Sequence, residues 1–170
     1  MKWILATFAL FSIVLIGVGW VSPSPSTPSE LCSRRGTAVI VDTGDRVLCL
    51  CREDAIDAAF NVALGRGGTG KQREGDRKTP LGEYSLGEPR ESTRYGLFIP
   101  VGYPTVEQSK MGLTGNAIGV HGPHIAFRWL GRLTVWIDWT LGCVALGTRG
   151  DINTVAFWIR RHRVSRIVIL

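Results

Sequence analysis

The sequence has few segments with the apolar spacing of a helix, no internal repeat, and no aromatic-basic motif of a nucleic-acid-binding family. These absences argue against a helical bundle, a repeat architecture and a nucleic-acid partner, respectively. Glycine, by contrast, is abundant, with 21 residues among 170. Once an apolar N-terminal stretch is set aside, the remaining length suits one domain that buries its own core. The sequence therefore predicts one mainly β domain with many turns and short helices, of the α+β class.

Positive charge is in excess and unevenly distributed. The net charge is +6, and from Arg128 to the C-terminus seven arginines face only two acidic residues, Asp138 and Asp151. Such a region suits an acidic lipid surface or an acidic wall polymer, and it equally suits a solvated basic helix close to a membrane. Nucleic acid is not a predicted partner, and the sequence carries no signal for an oligomeric state.

The N-terminus indicates the compartment. Lys2 precedes a run of 19 mostly apolar residues, Trp3 to Val21, which is long for a signal peptide and long enough to span a bilayer. Residues 1–21 are therefore predicted to be a signal anchor, favoured over a removed signal peptide because no clear cleavage site is present. Residues 22–36 are a predicted proline- and serine-rich linker, and residues 37–170 are the predicted folded domain. The predicted location is the periplasm or cell envelope, either anchored in the inner membrane or secreted.

The four cysteines are Cys32, Cys49, Cys51 and Cys143. With Cys143 set aside as a nucleophile, three remain, so they cannot all pair. Cys49 and Cys51 share one face of a predicted strand, which is a poor geometry for a bond between them. A bond from Cys32 to either one fits an oxidising compartment, and buried free thiols are an equal alternative.

Apolar runs separated by turn signals predict a series of strands, and the turn Asp42–Asp45 between two such runs predicts a hairpin. The predicted strands are Ala38–Val41, Arg46–Cys51, Ala58–Leu64, Glu83–Leu86, Leu97–Ile99, Ile118–Val120, Leu133–Ile137 and Arg166–Leu170. The apolar spacing from Ile152 to Ile159 predicts one helix near the C-terminus, with Thr148 and Asp151 as its capping box.

Two motifs are weak. Gly65–Gln72 fits glycine-rich phosphate-loop patterns, but the helix that these patterns need is replaced by a charged stretch ending at Pro80. We predict a polar loop there. His121, His124 and Cys143 could hold zinc in principle, yet the intervening proline favours a turn over a helix that carries both imidazoles. Neither a metal nor another cofactor is predicted.

The strongest chemical signal is His121 together with the segment Thr140–Cys143. A thiol attacks a carbonyl as the thiolate, and an imidazole within hydrogen-bond reach can take its proton. Gly142 lets the backbone come close to a substrate, so the amides from Leu141 to Cys143 could form an oxyanion hole. These residues predict a cysteine acyl-transfer site if the fold brings them together.

Three stretches resemble the L,D-transpeptidase (YkuD-like) catalytic domain family. They are Gly119–Gly122, Asp138–Leu146 and the upstream stretch Gly75–Tyr84. Val39–Leu64 and Arg94–Ile99 also fit the family, so the resemblance covers the whole predicted domain. It implies a β-sandwich-like catalytic domain with one C-terminal helix followed by a final strand.

The resemblance implies an enzyme that acts on peptidoglycan stem peptides. Cys143 would attack the carbonyl that joins the L-centre of the third residue to D-alanine, and His121 would take its proton. The carbonyl of Gly122 would orient the imidazole. An amine or water would then resolve the thioester. A membrane-tethered relative that only binds peptidoglycan is the alternative, although it would have no need of the Cys and His pair.

Residues beside the pair have implied roles too. Thr140 would either bond near the imidazole or hold the loop, and Trp139 would contact the substrate. The common family motif has His where Leu141 stands and Arg or Asn where Ala145 stands.

An arginine elsewhere would then take over substrate binding, either Arg128, Arg132 or Arg149, of which Arg149 is our candidate. The cysteine motif resembles a subgroup that includes hydrolases releasing peptidoglycan-linked protein. Transfer and hydrolysis therefore both stay open.

Overall fold

The computed structural model describes residues 31–170, and all structural statements here refer to that part of the chain. The predicted signal segment 1–21 and most of the predicted linker 22–36 lie outside the described residues. No helix in the described range is long and apolar enough to cross a membrane.

Nine strands form one sheet, which confirms the predicted mainly β class. The strands are β1 Ala38–Asp42, β2 Val47–Arg52, β3 Ala55–Ala63, β4 Gly82–Ser85, β5 Arg90–Ser92, β6 Gly96–Pro100, β7 Gly119–His121, β8 Val144–Leu146 and β9 Arg166–Ile169. Their order across the sheet is β4-β9-β1-β2-β3-β8-β7-β6-β5. Neighbours are antiparallel except β1 with β9 and β7 with β8, which are parallel. Residues from both halves of this order share one core cluster, so the sheet curls around its own core.

Three helical elements that lie wholly within residues 31–170 accompany the sheet. They are α1 Val106–Lys110, a 3₁₀ segment Ile125–Val135 and α2 Arg149–His162. The predicted capping box of α2 is confirmed, because the Thr148 hydroxyl accepts from the Asp151 amide at 3.0 Å and the Thr148 amide donates to the Asp151 carboxylate at 3.1 Å. The predicted apolar face of α2, from Ile152 to Ile159, is buried in the core.

A second, smaller cluster lies on the outer face of β1 and β2. Val39 and Val41 of β1 point into the main core, whereas Ala38 and Ile40 point into this cluster, as the alternation of a strand requires. Cys32 covers the cluster and is bonded to Cys51.

Of the alternatives that the sequence left open, the structure shows the Cys32–Cys51 disulfide, while Cys49 is a buried free thiol. Leu31 and Cys32 are both buried. The ordered packing therefore reaches back before residue 37, into the segment that the sequence predicted as linker.

The predicted strand Leu133–Ile137 is wrong. Residues up to Val135 belong to the 3₁₀ segment, which bends at Gly131, where φ is +54°. Leu133, Trp136 and Ile137 are at least half exposed, and both edges of β3, the strand that this segment contacts, are already paired, with β2 and with β8. Apolar, β-branched composition favoured a strand locally, but no partner strand was available.

Candidate active site

The parallel strands β7 and β8 bring His121 and Cys143 together. His121 is the last residue of β7 and lies opposite Ala145, whereas Cys143 immediately precedes β8. Because side chains alternate along a strand, Cys143 lies on the same face as Ala145 and hence as His121. Both side chains line one cleft of about 710 Å³.

The imidazole of His121 is fixed in orientation. Its Nδ1 lies 2.7 Å from the carbonyl oxygen of Gly122, and because a carbonyl only accepts, Nδ1 carries the proton. The ring nitrogen Nε2 is then the one that can act as a base. The ring is only 1 % exposed, and burial lowers the pKa of His121 to about 4 against the opposing effect of the Gly122 bond. The imidazole is therefore neutral at physiological pH.

Two aromatic rings pack against the imidazole. The ring of Tyr95 stacks on it with centroids 3.9 Å apart and planes 21° apart. The indole of Trp139 lies 5.8 Å away at a tilt of 60°. Trp139 was predicted from the sequence, whereas Tyr95 was not, although Tyr95 lies inside one of the stretches that resembled the family.

The thiol of Cys143 is also uncharged at rest. Its Sγ donates to the carbonyl oxygen of Ala117 at 3.5 Å. Burial raises the pKa of Cys143 to about 11, and the smaller effects of a Gly119 backbone bond and of the Lys71 charge oppose it. A neutral thiol and a neutral imidazole that line one cleft suit a proton transfer that accompanies attack on a carbonyl, rather than a preformed ion pair.

The loop before the cysteine is held by its own residues. The buried Thr140 hydroxyl donates to the Cys143 carbonyl oxygen at 2.7 Å and accepts from the Gly142 amide at 3.1 Å. Of the two roles proposed for Thr140, the geometry corresponds to holding the loop. Gly142 has φ +128°, and a Cβ there would lie 2.6 Å from the Lys78 carbonyl oxygen, so a side chain would collide with the neighbouring loop.

That neighbouring loop, residues 65–79, is the one predicted as polar, and it is built around a buried ion pair. Lys71 Nζ lies 2.7 Å from Asp76 Oδ1, and both side chains are buried. Asp76 also accepts from the amides of Gln72, Arg73 and Lys78. Burial alone would raise the pKa of Asp76, but these bonds outweigh it and hold the pKa well below its usual range. The loop is thus a rigid wall of the cleft.

The arginines in the cleft are not those that the sequence suggested. Arg77, Arg90 and Arg94 line it, together with Glu74 and Glu91. Arg77 and Arg94 lie in stretches that resembled the family and Arg90 does not, but nothing in the sequence assigned any of the three to substrate binding.

Arg149 instead lies in an adjacent depression with Ser92 and Asn153, and Arg128 and Arg132 are not among the residues that line the cleft. The assignment of Arg149 to substrate binding stays a prediction. Leu141 is exposed and does line the cleft, as does Trp139. Ala145 is fully buried in a small cluster with Ala63 and Val135, which leaves no path for its side chain into the cleft.

His124 is not directed with Cys143 toward a shared ion. Its Nδ1 accepts from the Ala126 amide at 3.2 Å, at the start of the 3₁₀ segment. Within residues 31–170 there is no group of three or more His, Cys, Asp or Glu side chains arranged to hold a metal ion.

Comparison with known proteins places this geometry in context. The family model of the YkuD L,D-transpeptidase catalytic domain matches residues 36–169. No curated protein matches the sequence.

Among solved structures, the helical cell shape determining protein Pgp2 of Campylobacter jejuni is 24% identical with a TM-score of 0.64, covering 78% of this chain and 46% of its own. Bd1075 of Bdellovibrio bacteriovorus is 24% identical with a TM-score of 0.55, covering 78% and 47%. An L,D-transpeptidase of Mycobacterium smegmatis is 12% identical with a TM-score of 0.51, covering 78% and 58%. The chain thus spans about half the length of the structures it matches, and at these identities the likeness concerns the fold.

Proposed function

The chain belongs to the YkuD L,D-transpeptidase catalytic domain family, and we propose that it is a cysteine acyltransferase that modifies peptidoglycan. One observation carries the proposal. Cys143 and His121 lie on one face of neighbouring strands and line one cleft, and the Gly122 carbonyl holds the imidazole with Nε2 as its basic nitrogen.

The proposed substrate is a peptidoglycan stem tetrapeptide. Cys143 Sγ attacks the carbonyl between the L-centre of the third residue and D-alanine, while its proton passes to Nε2 of His121. That proton then goes to the amine nitrogen of the leaving D-alanine as the carbon–nitrogen bond breaks. A thioester between Cys143 and the tripeptide remains.

The oxyanion would be stabilised by backbone amides of the cysteine loop. Since the Gly142 amide already donates to Thr140, we assign this role to the amides of Leu141 and Cys143. The terminal carboxylate of the tetrapeptide would meet Arg77, Arg90 or Arg94 in the cleft. These residues would do the work that the common family motif gives to an arginine at the position of Ala145.

The second half-reaction decides the outcome. An amine attacking the thioester completes L,D-transpeptidation, whereas water releases the acyl group as an acid. The cysteine motif, with Leu141 where the common motif has His, resembles a subgroup that includes hydrolases. The alternative reaction is therefore hydrolysis, which would release peptidoglycan-linked protein through the same acyl-enzyme. A membrane-tethered protein that binds peptidoglycan without catalysis is the remaining alternative, which the intact Cys143 and His121 pair disfavours.

Such chemistry belongs outside the cytosol, so we propose a cell-envelope location, with residues 1–21 as an inner-membrane anchor or a signal peptide. Pgp2, which has the same fold, is described as determining helical cell shape. We propose a role in cell-wall organisation and cell shape for this chain as well.

The test is to incubate the full chain in detergent with tetrapeptide muropeptides and to analyse both products and protein by mass spectrometry. We expect release of D-alanine and a tripeptide adduct on Cys143. Cys143→Ala should lose both signals. Cys49→Ala is the matched control, because it removes the other free thiol, which is buried away from the cleft, and it should keep both.

The products separate the alternatives. Cross-linked dimers with an added amine donor indicate transfer, and free tripeptide alone indicates hydrolysis. Muropeptide binding by folded protein without adduct or D-alanine would leave only the binding role, and release that persists in Cys143→Ala would refute the assigned nucleophile.

A further inference from the structure

We infer that the surface around the 3₁₀ segment docks onto a lipid bilayer with anionic headgroups. We call this surface the aromatic-basic face. Its members are Ile125, Phe127, Arg128, Trp129, Arg132, Leu133, Trp136 and Ile137.

The face concentrates exposed apolar surface in one short stretch. Trp129 is 78% exposed and Trp136 is 72% exposed, and the other apolar members are at least half exposed. The remaining large exposed apolar residues in the described part of the chain are scattered, apart from Leu141 at the cleft; they are Leu81, Val106, Met111, Phe157 and Leu170. A contiguous apolar surface on a folded domain usually marks a contact with a partner or a membrane.

The exposure results from a braced conformation. The Thr134 hydroxyl donates to the Gly131 carbonyl oxygen at 2.8 Å, and Trp139 Nε1 donates to the Thr134 carbonyl oxygen at 2.9 Å. Arg46 donates to the carbonyl oxygens of Val135 and Trp136. The buried residues of the segment are Thr134 and Val135, so these contacts anchor it while its large apolar side chains point outward.

The composition fits a bilayer better than a protein groove. Tryptophan and phenylalanine beside arginine are typical of segments that lie at the headgroup level of a membrane. Residues 122–137 contain no acidic residue, and the next one, Asp138, is paired with Arg46 at 3.3 Å. The face therefore combines apolar surface with unopposed positive charge along its own segment, which complements anionic headgroups.

The sequence outside the described residues places a bilayer within reach. The predicted anchor ends at Val21, and residues 22–30 separate it from the first described residue. A fully extended chain reaches at most about 3.6 Å per residue, so nine residues bridge no more than about 32 Å. The predicted anchor would therefore keep the domain, and this face, close to the membrane surface.

The face adjoins the catalytic cleft. An apolar depression of about 260 Å³ lies within it, lined by Phe127, Leu133 and Ile137 among others. Trp139 lines both this depression and the cleft. Docking through the face would therefore hold the cleft beside the bilayer.

Photo-crosslinking in the full chain tests the inference. Trp129 or Trp136 is replaced by p-benzoylphenylalanine, and each variant is reconstituted in vesicles of phosphatidylethanolamine and phosphatidylglycerol and irradiated. We expect lipid adducts by mass spectrometry at both positions, several-fold above a control with the same probe at Met111. Met111 is matched because it is 70% exposed and apolar but lies at the end of α1.

The second part of the test is the dependence of the adduct yield on charge. Adduct yield should fall several-fold in pure phosphatidylcholine and in the double variant Arg128→Gln/Arg132→Gln. Equal yields at positions 129, 136 and 111, or crosslinks to a second copy of the chain in place of lipid, would overturn the inference.

The unmodified chain offers an independent check in case the probe disturbs folding. Hydrogen exchange of peptides covering residues 125–137 should slow several-fold in phosphatidylglycerol-containing vesicles relative to phosphatidylcholine vesicles. Unchanged exchange would refute docking. Neither readout depends on D-alanine release, so failure here leaves the proposed acyl transfer untouched.

Discussion

At the scale of single residues, the state of His121 depends on one contact with the next residue and on another that is distant in sequence. The Gly122 carbonyl selects the tautomer, and the stacked ring of Tyr95 fixes the plane of the imidazole. The first contact follows from the next residue in the chain and was implied by the family resemblance. The second joins β7 to the turn before β6, so no local pattern could have predicted it.

Tyr95 is a positioning residue in this view. Tyr95→Leu removes the stacked ring, and because small misplacements of a base are costly, we expect kcat for D-alanine release to fall roughly 10- to 100-fold with little change in KM. Tyr95→Phe keeps the ring and should restore most of the rate. A purely structural role would instead lower the thermal midpoint of Tyr95→Leu without this split between kcat and KM.

Replacing Gly142 by alanine, compared with the same change at another glycine, separates the effect of backbone strain from the effect of missing space. Gly142→Ala must adopt φ +128° and place a Cβ 2.6 Å from the Lys78 carbonyl oxygen. Strain of this kind costs about 1–3 kcal/mol, and relief of it would displace the cysteine loop, so we expect both lower unfolding free energy and loss of acyl-enzyme formation.

Gly112→Ala is the matched control for Gly142→Ala. Gly112 has φ +85° with no atom within 4 Å of the added Cβ. The Gly112→Ala variant should lose about 1–2 kcal/mol of unfolding free energy, which is what a left-handed backbone costs an alanine, and it should keep its activity. Equal behaviour of the two variants in urea titrations and adduct assays would contradict a specific role for the Gly142 approach.

At the scale of elements, the sequence was sufficient where local pattern and long-range packing agree. The β1–β2 hairpin and α2 with its capping box have the structure that alternation and spacing predicted. The failure at Leu133–Ile137 arose because a strand needs a partner edge, which local composition does not reveal. Cys49 and Cys51 lie on the same face of β2, so the pairing of Cys32 with Cys51 depends on which part of that strand the preceding chain packs against.

The disulfide ties the start of the ordered chain to β2. It closes a loop with a sequence separation of 19, for which loss of the cross-link should cost about 3 kcal/mol. We therefore expect dithiothreitol to lower the thermal midpoint of the wild-type chain. The double variant Cys32→Ala/Cys51→Ala should start from the lower midpoint and be insensitive to the reductant.

Cys49 allows the disulfide effect to be separated from general thiol chemistry. Burial raises its pKa to about 11, so it should stay unreactive toward thiol reagents while the protein is folded. If Cys49→Ala removed the sensitivity to dithiothreitol, the stabilising bond would be a different one from that seen in the structure.

At the scale of the whole molecule, the motifs predicted the family, because three short stretches in the right order are specific, whereas Cys143 as the nucleophile stays a prediction. The walls of the cleft were not predictable in this way. Arg77, Arg90 and Arg94 come from separate loops and strands that only the curled sheet brings together. The exposure of this apolar segment was not predictable either, because the composition of Leu133–Ile137 locally favours a buried strand.

Acid stability follows from groups spread across the molecule, and all of them act in the same direction. The pKa of His121 falls from 6.5 when unfolded to about 4 when folded, so below pH 6.5 the unfolded state binds more protons and the free energy of unfolding drops. The loss should reach about 3 kcal/mol near pH 4 and then level off. Bonds from Arg52 and Trp158 lower the pKa of Asp57 to about 2, so a second loss should begin as pH falls below 3.8.

Urea unfolding from pH 8 to pH 3 measures this profile, and NMR titration of the imidazole assigns its first step. The His121 ring should stay neutral until about pH 4. The chain has three histidines, so replacing His124 and His162 by glutamine leaves His121 as the only one, and the loss between pH 6.5 and 4 should persist. An imidazole that titrates near 6.5, or a flat profile above pH 4, would mean that the ring is solvated rather than buried. Either result would also refute the neutral base proposed for the catalytic pair.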